Sequence, residues 1–427
     1  MKKLKDYKIH TFSNGAVIVL KSIKGKKFTA VRMGFRSGAL CDEVAGTAHF
    51  LEHVLFLGTE KRTREQIDSD RDTIKRLNAG TSLFTTLVSF KRANRYLDEV
   101  FEFASDITVN TKFNTAEINK EREVIRNEIA IAKERDARDV GMHHLTLFSN
   151  YFNKPTCAIL GDDIDKITRK DLETFRDKHY VAQNFIMFVC SSLPMSKFVK
   201  FYEKYIAKNL KVDESYKIAT YDFTSKKPSK LQIVKYEQDK VDVKISIEIP
   251  FGIHNIKSKL GWLFWTQLIT SGSDIYNALR KKGLVYKYYA STTEHSYSTM
   301  MSFNFSTAKE NIKKVIDEIS KGVQNRYKNG ISESEFEIIR KRIRISKDES
   351  EGSPVEYKLD DMVYAYTEDI LIDKIRYEKE LKKITIDEIN SYIRLYNNKN
   401  NKLWVTALGK LTEKDIYTLE TIQKKLL

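Results

Sequence analysis

The 427 residues of the chain predict an α+β protein of two related domains, each a mainly antiparallel sheet packed with helices. Three features carry that expectation. Strand-type and helix-type segments come in runs rather than in strict alternation, which favours antiparallel sheets with segregated helices over a parallel α/β fold. A segment recurs half a chain apart: ITRKDLETFRDKHYVAQNFIMFVCSS from Ile167 aligns without gaps with ITIDEINSYIRLYNNKNNKLWVTALG from Ile384, pairing Thr168 with Thr385 and Asn184 with Asn401. A period of that length means two related domains, not a solenoid. Finally, a composition 41% hydrophobic and 31% charged describes a soluble globular chain, one too long for a single core. The polar, lysine-rich stretch containing Pro228 reads as the connection. We therefore expect an N-terminal domain over residues 1–210, a linker over 211–230 and a C-terminal domain over 231–427.

From the N-terminus, Lys8–Phe12 and Ala16–Leu20 are strand-like runs flanking Ser13-Asn14-Gly15, a hairpin signal. Thr29–Phe35 reads as a further strand, and Arg36-Ser37-Gly38-Ala39 as a loop delivering the chain to a helix around His49. Thr63–Leu77 has helical spacing, whereas Leu77–Phe90, rich in β-branched and aromatic residues, reads as strand. Asn94–Ile107 and Thr115–Arg138 return to helix, the latter capped at Asn114-Thr115 and carrying Ile118, Val124, Ile125, Ile129 and Ile131. Each copy of the internal repeat reads as a capped helix followed by a strand.

Composition narrows the function classes. The early apolar run Ala16–Leu20 is too short for a signal peptide, and no segment approaches a membrane span. Cys41, Cys157 and Cys190 are scattered and odd in number, which argues against a disulfide framework and for a reducing compartment; we expect a cytoplasmic protein. The net charge of +16, with a pI near 9.3, is spread evenly and often beside glutamates, so we expect no specific nucleic-acid partner and at most long-range steering of an anionic substrate.

The densest chemistry lies in His49–Arg62, HFLEHVLFLGTEKR. Histidines four apart share one helical face and can grip a single zinc ion, and Glu52 is placed to reach a water there. A third ligand must come from another element. The helix from Thr115 offers EREVIRNE, whose Glu121 and Glu128 are two turns apart on one face; either could coordinate while the other orients a ligand or water. Glu117, Glu123 and Glu134 read as solvated. His143 and His144 are adjacent and do not share a face, so no joint site is expected, and His10, His179, His254 and His295 read as surface or core-edge residues.

Together these residues resemble the pitrilysin/insulinase family of zinc metallopeptidases, the inverzincins, and in size their small bacterial, processing-peptidase-like members. The resemblance rests on His49-x-x-Glu52-His53, on Glu128 lying 75 residues beyond His53, on Glu121 seven earlier, and on Asn14-Gly15, Ser37-Gly38, Phe56 with Gly58-Thr59, and Asn78-Ala79 with Thr81-Ser82. It implies one zinc ion per chain held by His49, His53 and Glu128, Glu52 as general base, Glu121 supporting from behind, and peptide-bond hydrolysis. It further implies that a peptide adds to an edge strand at Asn78 and Ala79. Two departures from the family stand here: Gly80 replaces its usual aromatic, and Phe84 its acidic residue.

The second half has no metal site: Trp262, Leu263, Phe264 and Trp265 fall where the first half has its histidines, and Ile339 and Ser346 where it has Glu121 and Glu128. It resembles instead the family's substrate-clamping domain, with SGSDIYNALRKKGLVY from Ser271. That implies oxyanion-stabilising roles for Arg280 and Tyr286, although the spacing between them is one residue shorter than the family's. The two domains are then expected to face each other across a chamber, in a homodimer or a heterodimer with a related chain. Two other readings are a non-catalytic partner subunit, which typically loses metal residues, and a basic nucleic-acid binder, which rests on charge alone.

Overall fold

The computed structural model describes residues 7–74, 77–149, 164–219, 230–249, 256–270, 272–294, 299–352, 354–367, 371, 374–395, 401–422 and 426. Cys157, His254 and His295, and residues 220–229 of the expected linker, lie outside them. In chain order the first half contains β1 (Tyr7–Thr11), β2 (Val17–Ser22), β3 (Phe28–Phe35), α1 (Thr47–Val54), α2 (Arg64–Ile74), β4 (Asn78–Thr81), β5 (Thr86–Ala93), α3 (Leu97–Val109), α4 (Thr115–Asp136), α5 (Val140–Ser149), α6 (Arg169–His179), β6 (Phe185–Ser191) and α7 (Met195–Tyr205). The second half contains β7 (Lys230–Val234), β8 (Lys240–Ile249), α8 (Ile256–Ile269), α9 (Asp274–Lys281), β9 (Lys287–Glu294), β10 (Thr299–Ala308), α10 (Ile312–Asn329), α11 (Glu333–Gly352), α12 (Val355–Thr367), α13 (Lys374–Lys383), α14 (Ile386–Leu395), β11 (Lys402–Leu408) and α15 (Glu413–Glu420).

The first sheet has the order β1-β2-β6-β3-β5-β4, with β2 and β6 parallel and every other pair antiparallel. The second, β7-β11-β8-β10-β9, repeats the last five positions: β7 and β11 are its parallel pair, and three antiparallel pairings follow. The sequence repeat therefore extends to topology, with α6 and β6 matching α14 and β11. Both helix starts are capped alike, by Thr168 with Asp171 and by Thr385 with Glu388. The hairpin expected at Ser13-Asn14-Gly15 joins β1 to β2, with Gly15 at φ +87, where a side chain would be strained.

Leu77–Phe90 is not one strand. The Ser82 Oγ accepts the Thr85 N–H (3.0 Å) and the Ser82 N–H reaches the Thr85 carbonyl (2.8 Å), so a tight turn splits it into the antiparallel pair β4 and β5. In α4, Ile118, Ile125 and Ile129 enter the core, but Val124 and Ile131 are exposed: the buried stripe is narrower than five apolar residues suggested, and it includes Glu121.

Two compact units emerge, and neither is one contiguous stretch. Unit 1 contains the first sheet with α1–α3, α6, α7, most of α4, and α12 from the second half of the chain. One face of its sheet, with Val31, Met33, Phe35, Met187 and Val189, builds the core with the helices of the first half. The other face is buried beneath α12, where Phe188 meets Tyr366 edge-on and Arg32 pairs with Asp360. Unit 2 contains the second sheet, the helices of the second half and α5 from the first. Its core joins Val243, Ile245, Phe303 and Val405 to Trp262 and Trp265 of α8. Its opposite face, carrying Ser246, Ser302, Asn304 and Thr406, is polar yet buried, and α5 lies on that sheet with His144 hydrogen-bonded to Thr406 (2.9 Å). Thus α5 and α12, equivalent in the repeat, are exchanged between the units. Among the described residues no helix is long and apolar enough to cross a membrane.

Candidate metal centre

The centre is built on α1. Gly46, at φ +93, turns the chain into the helix, and the Asp42 carboxylate caps it by accepting the Gly46 N–H (2.8 Å) and the Ala48 N–H (2.9 Å). Burial pushes Asp42 up to about 7 despite these donors. The buried face of α1 carries Ala48, Phe50, Leu51 and Val54 into the core, which fixes the rotation of the helix and so the direction of His49 and His53. The rings of the two histidines lie edge-on, with centroids 4.8 Å apart. At the C-terminal end of α1 the chain turns through Gly58, and Arg62 anchors it to Asp70 (3.0 Å), Glu102 (2.5 Å) and the buried Asp106 (2.7 Å).

The helix α4 brings both glutamates to α1 in different roles. Glu128 Oε2 lies 3.4 Å from His53 Nε2 and 3.8 Å from His49 Nε2, and one ligand atom of each of the three residues falls within 4.8 Å of the others. Zinc bonds of about 2.0–2.1 Å in a tetrahedron require neighbouring ligand atoms roughly 3.4 Å apart, so the spacing fits a cation better than direct contact. Glu121 turns the other way. Its Oε1 takes a hydrogen bond from His53 Nδ1 (2.9 Å) and its Oε2 one from Arg64 (3.0 Å), the arrangement that fixes a ligating imidazole from behind. Helical spacing left the choice between the two glutamates open and the family resemblance implied Glu128; the geometry turns Glu128 to the Nε2 atoms and Glu121 to Nδ1. Glu117, read as solvated, is half-buried and paired with Arg64 (3.0 Å).

Electrostatics separates the two histidines. Burial, helped by the charge of His53, pushes His49 down to about 4, so it is neutral and free to donate a lone pair at pH 7. At His53 burial acts in the same direction, but the Glu121 hydrogen bond and the charges of Glu52, Glu121 and Glu128 outweigh it and raise the pKa. Burial raises Glu52, opposed by hydrogen bonding from Thr81, whose hydroxyl donates to Oε2 at 2.7 Å. Glu121 stays low because His53 and Arg64 overcome its burial. The His49 Nδ1 is buried with no hydrogen-bond partner among the described residues.

The other expected site residues are placed as follows. Asn78 and Ala79 lie on β4, the edge of the first sheet, with Asn78 exposed and Ala79 buried. Arg280 and Tyr286 belong to unit 2. Arg280 is exposed near the end of α9, and Tyr286 follows the Gly283-Leu284 turn with its ring 67% exposed and its N–H on the Ser306 carbonyl (2.8 Å). His143 is half-buried and His144 buried, with His143 reaching the Ala137 carbonyl and His144 reaching Thr406, so the adjacent pair forms no joint cluster. Sequence reasoning assigned no role to Arg64, Asp42 or Thr81. Thr81 was matched to the family with Ser82 but given no role; Arg64 and Asp42 gave no signal.

Two sequence families match the chain: "Insulinase (Peptidase family M16)" over residues 17–157 and "Peptidase M16 inactive domain" over residues 166–343. The mitochondrial-processing peptidase subunit beta of Neurospora crassa is 30% identical over 203 residues, 46% of this chain and 42% of that protein. An uncharacterized zinc protease of Rickettsia bellii is 28% identical over 201 residues, 46% of this chain and 48% of that one. Each match thus spans less than half of the relative. A crystal structure of a protease from Helicobacter pylori superposes with a TM-score of 0.76 at 19% identity, covering 94% of this chain and 99% of the other, which shows a shared fold.

Proposed function

Because the chain belongs to the pitrilysin/insulinase-like peptidase family, we propose that it is a zinc-dependent endopeptidase or oligopeptidase acting on unfolded peptides. The clustering of His49, His53 and Glu128 beside Glu52 is the observation that carries this reading. Zinc held by those three ligands would polarise the scissile carbonyl and make water nucleophilic near neutral pH. Glu52, on the same helical turn as His53, would accept the water's proton on a carboxylate oxygen and return it to the leaving amine. Its raised pKa suits both halves of that exchange. The strand β4, which carries Asn78 and Ala79, is the edge of its sheet, and an extended substrate would add there as a further strand, largely without regard to its sequence. From the second half, Tyr286 and Arg280 would donate to the developing oxyanion. Because relatives are named as a beta subunit, we further propose that the chain pairs with a copy of itself or with a related chain. Its scattered cysteines support a reducing, cytoplasmic setting.

A fluorogenic peptide-library digest with metal analysis tests the core of this, comparing the wild type with Glu52→Gln. Zinc in both proteins, with hydrolysis about 10²–10⁴-fold lower in the variant, is the expected result. Equal hydrolysis by both would remove the role given to Glu52. A second reading, a non-catalytic partner subunit, draws on the match of residues 166–343 to an inactive domain. It predicts neither zinc nor hydrolysis in the wild type.

A further inference from the structure

We propose that Thr81 is the positioning residue for Glu52, holding the base's carboxylate from the very strand on which the peptide docks; the inference rests on the peptidase reading above. Thr81 closes β4, the edge of the first sheet. Successive residues of a strand point to opposite faces, so Ala79 and Thr81 share the side that packs inward while Asn78 and Gly80 point outward. On that inner side Thr81 holds Glu52: its hydroxyl donates to Oε2 at 2.7 Å. No other residue hydrogen-bonds the Glu52 side chain among the described residues. Thr81 is itself held firmly. The Ser82–Thr85 turn closes the hairpin directly behind it, and its cross-strand neighbour Thr86 is tied to the Ser37 carbonyl (2.9 Å).

This arrangement has a consequence for catalysis. A carboxylate carried on a helix has rotational freedom of its own, and a misplacement of about 1 Å in a reacting group can cost on the order of a hundredfold in rate. A hydroxyl donor from a neighbouring strand restrains that freedom without occupying the metal ligands. It also links the docking strand to the base. A peptide added to β4 would lie along the strand that carries Thr81, next to the base that Thr81 holds.

The test compares Thr81→Val, which keeps the shape and removes the hydroxyl, with Thr81→Ser, which keeps the hydroxyl. With a peptide of about ten residues, Thr81→Val should retain zinc content, melting temperature and KM while kcat falls about tenfold to a hundredfold. Thr81→Ser should restore kcat to within about twofold of the wild type. In a Glu52→Gln background, where the base is already lost, adding Thr81→Val should leave peptide affinity by fluorescence anisotropy unchanged. An unaltered kcat in Thr81→Val, a Ser variant as impaired as the Val variant, or weakened peptide binding in the double variant would each overturn the inference, the last two by showing that Thr81 shapes the strand rather than the base. A wild type lacking both zinc and hydrolysis would instead overturn the peptidase reading, and this inference with it.

Discussion

His49 and His53 sit on one helical face yet behave differently, because their neighbours differ. Burial keeps His49 neutral, whereas His53 is held by Glu121, and Glu121 in turn by Arg64. Arg64→Ala should therefore weaken zinc binding about 10- to 100-fold, as loss of outer hydrogen-bonding partners does, with little change in melting temperature. Competition with a chromogenic chelator measures it, and an affinity equal to wild type would show that Glu121 needs no support. Tyr286→Phe belongs to the same scale: if its hydroxyl serves the oxyanion, kcat should fall about 10²–10³-fold at unchanged zinc content, and unaltered turnover would reject that role. At this scale much was legible. The four-residue spacing of the histidines, with Glu52 between, is local geometry that one helix imposes wherever it folds. Arg64 was not legible, because its value lies in a carboxylate 57 positions away, and no local pattern encodes such a contact.

Among the elements, α1 depends on its first turn. Asp42 titrates at the usual carboxylate value of 3.8 when unfolded and near 7 when folded, so the folded state holds the extra proton between those limits. The stability it contributes is therefore fully present below about 3.8 and is lost as the pH rises through about 7. Measured against Asp42→Asn, which cannot titrate, the wild-type melting temperature should decline across that window. A difference independent of pH would refute the assignment. The strands show where periodicity runs out: the apolar and β-branched residues of Leu77–Phe90 are strand-forming throughout, and the break at Ser82–Thr85 depends on side-chain and backbone hydrogen bonds that a propensity average does not register. Likewise, β6 is buried along its whole length. A continuous apolar run of that kind marks a strand covered on both faces.

For the molecule as a whole, what covers the second face comes from the other half of the chain. Unit 1 needs α12 over Phe188, and unit 2 takes α5 onto Thr406. A fragment of residues 1–210 should thus expose Phe188 and its neighbours and aggregate, while co-expression with residues 211–427 should recover a folded, zinc-binding complex. A well-dispersed NMR spectrum from the isolated fragment would contradict this. Chain order alone suggested contiguous domains, since a repeat reports homology and not which helix covers which sheet. By itself the sequence determined the α+β class, the duplication and the elements that carry the clustered histidines and glutamates, because helical spacing, caps and strand periodicity act between residues close along the chain. Only the tertiary structure decided that Arg64 and Thr81 hold the site from outside, and that α5 and α12 are exchanged. Those outcomes depend on how distant elements rotate to bury their apolar faces, and that rotation is a property of the packed core.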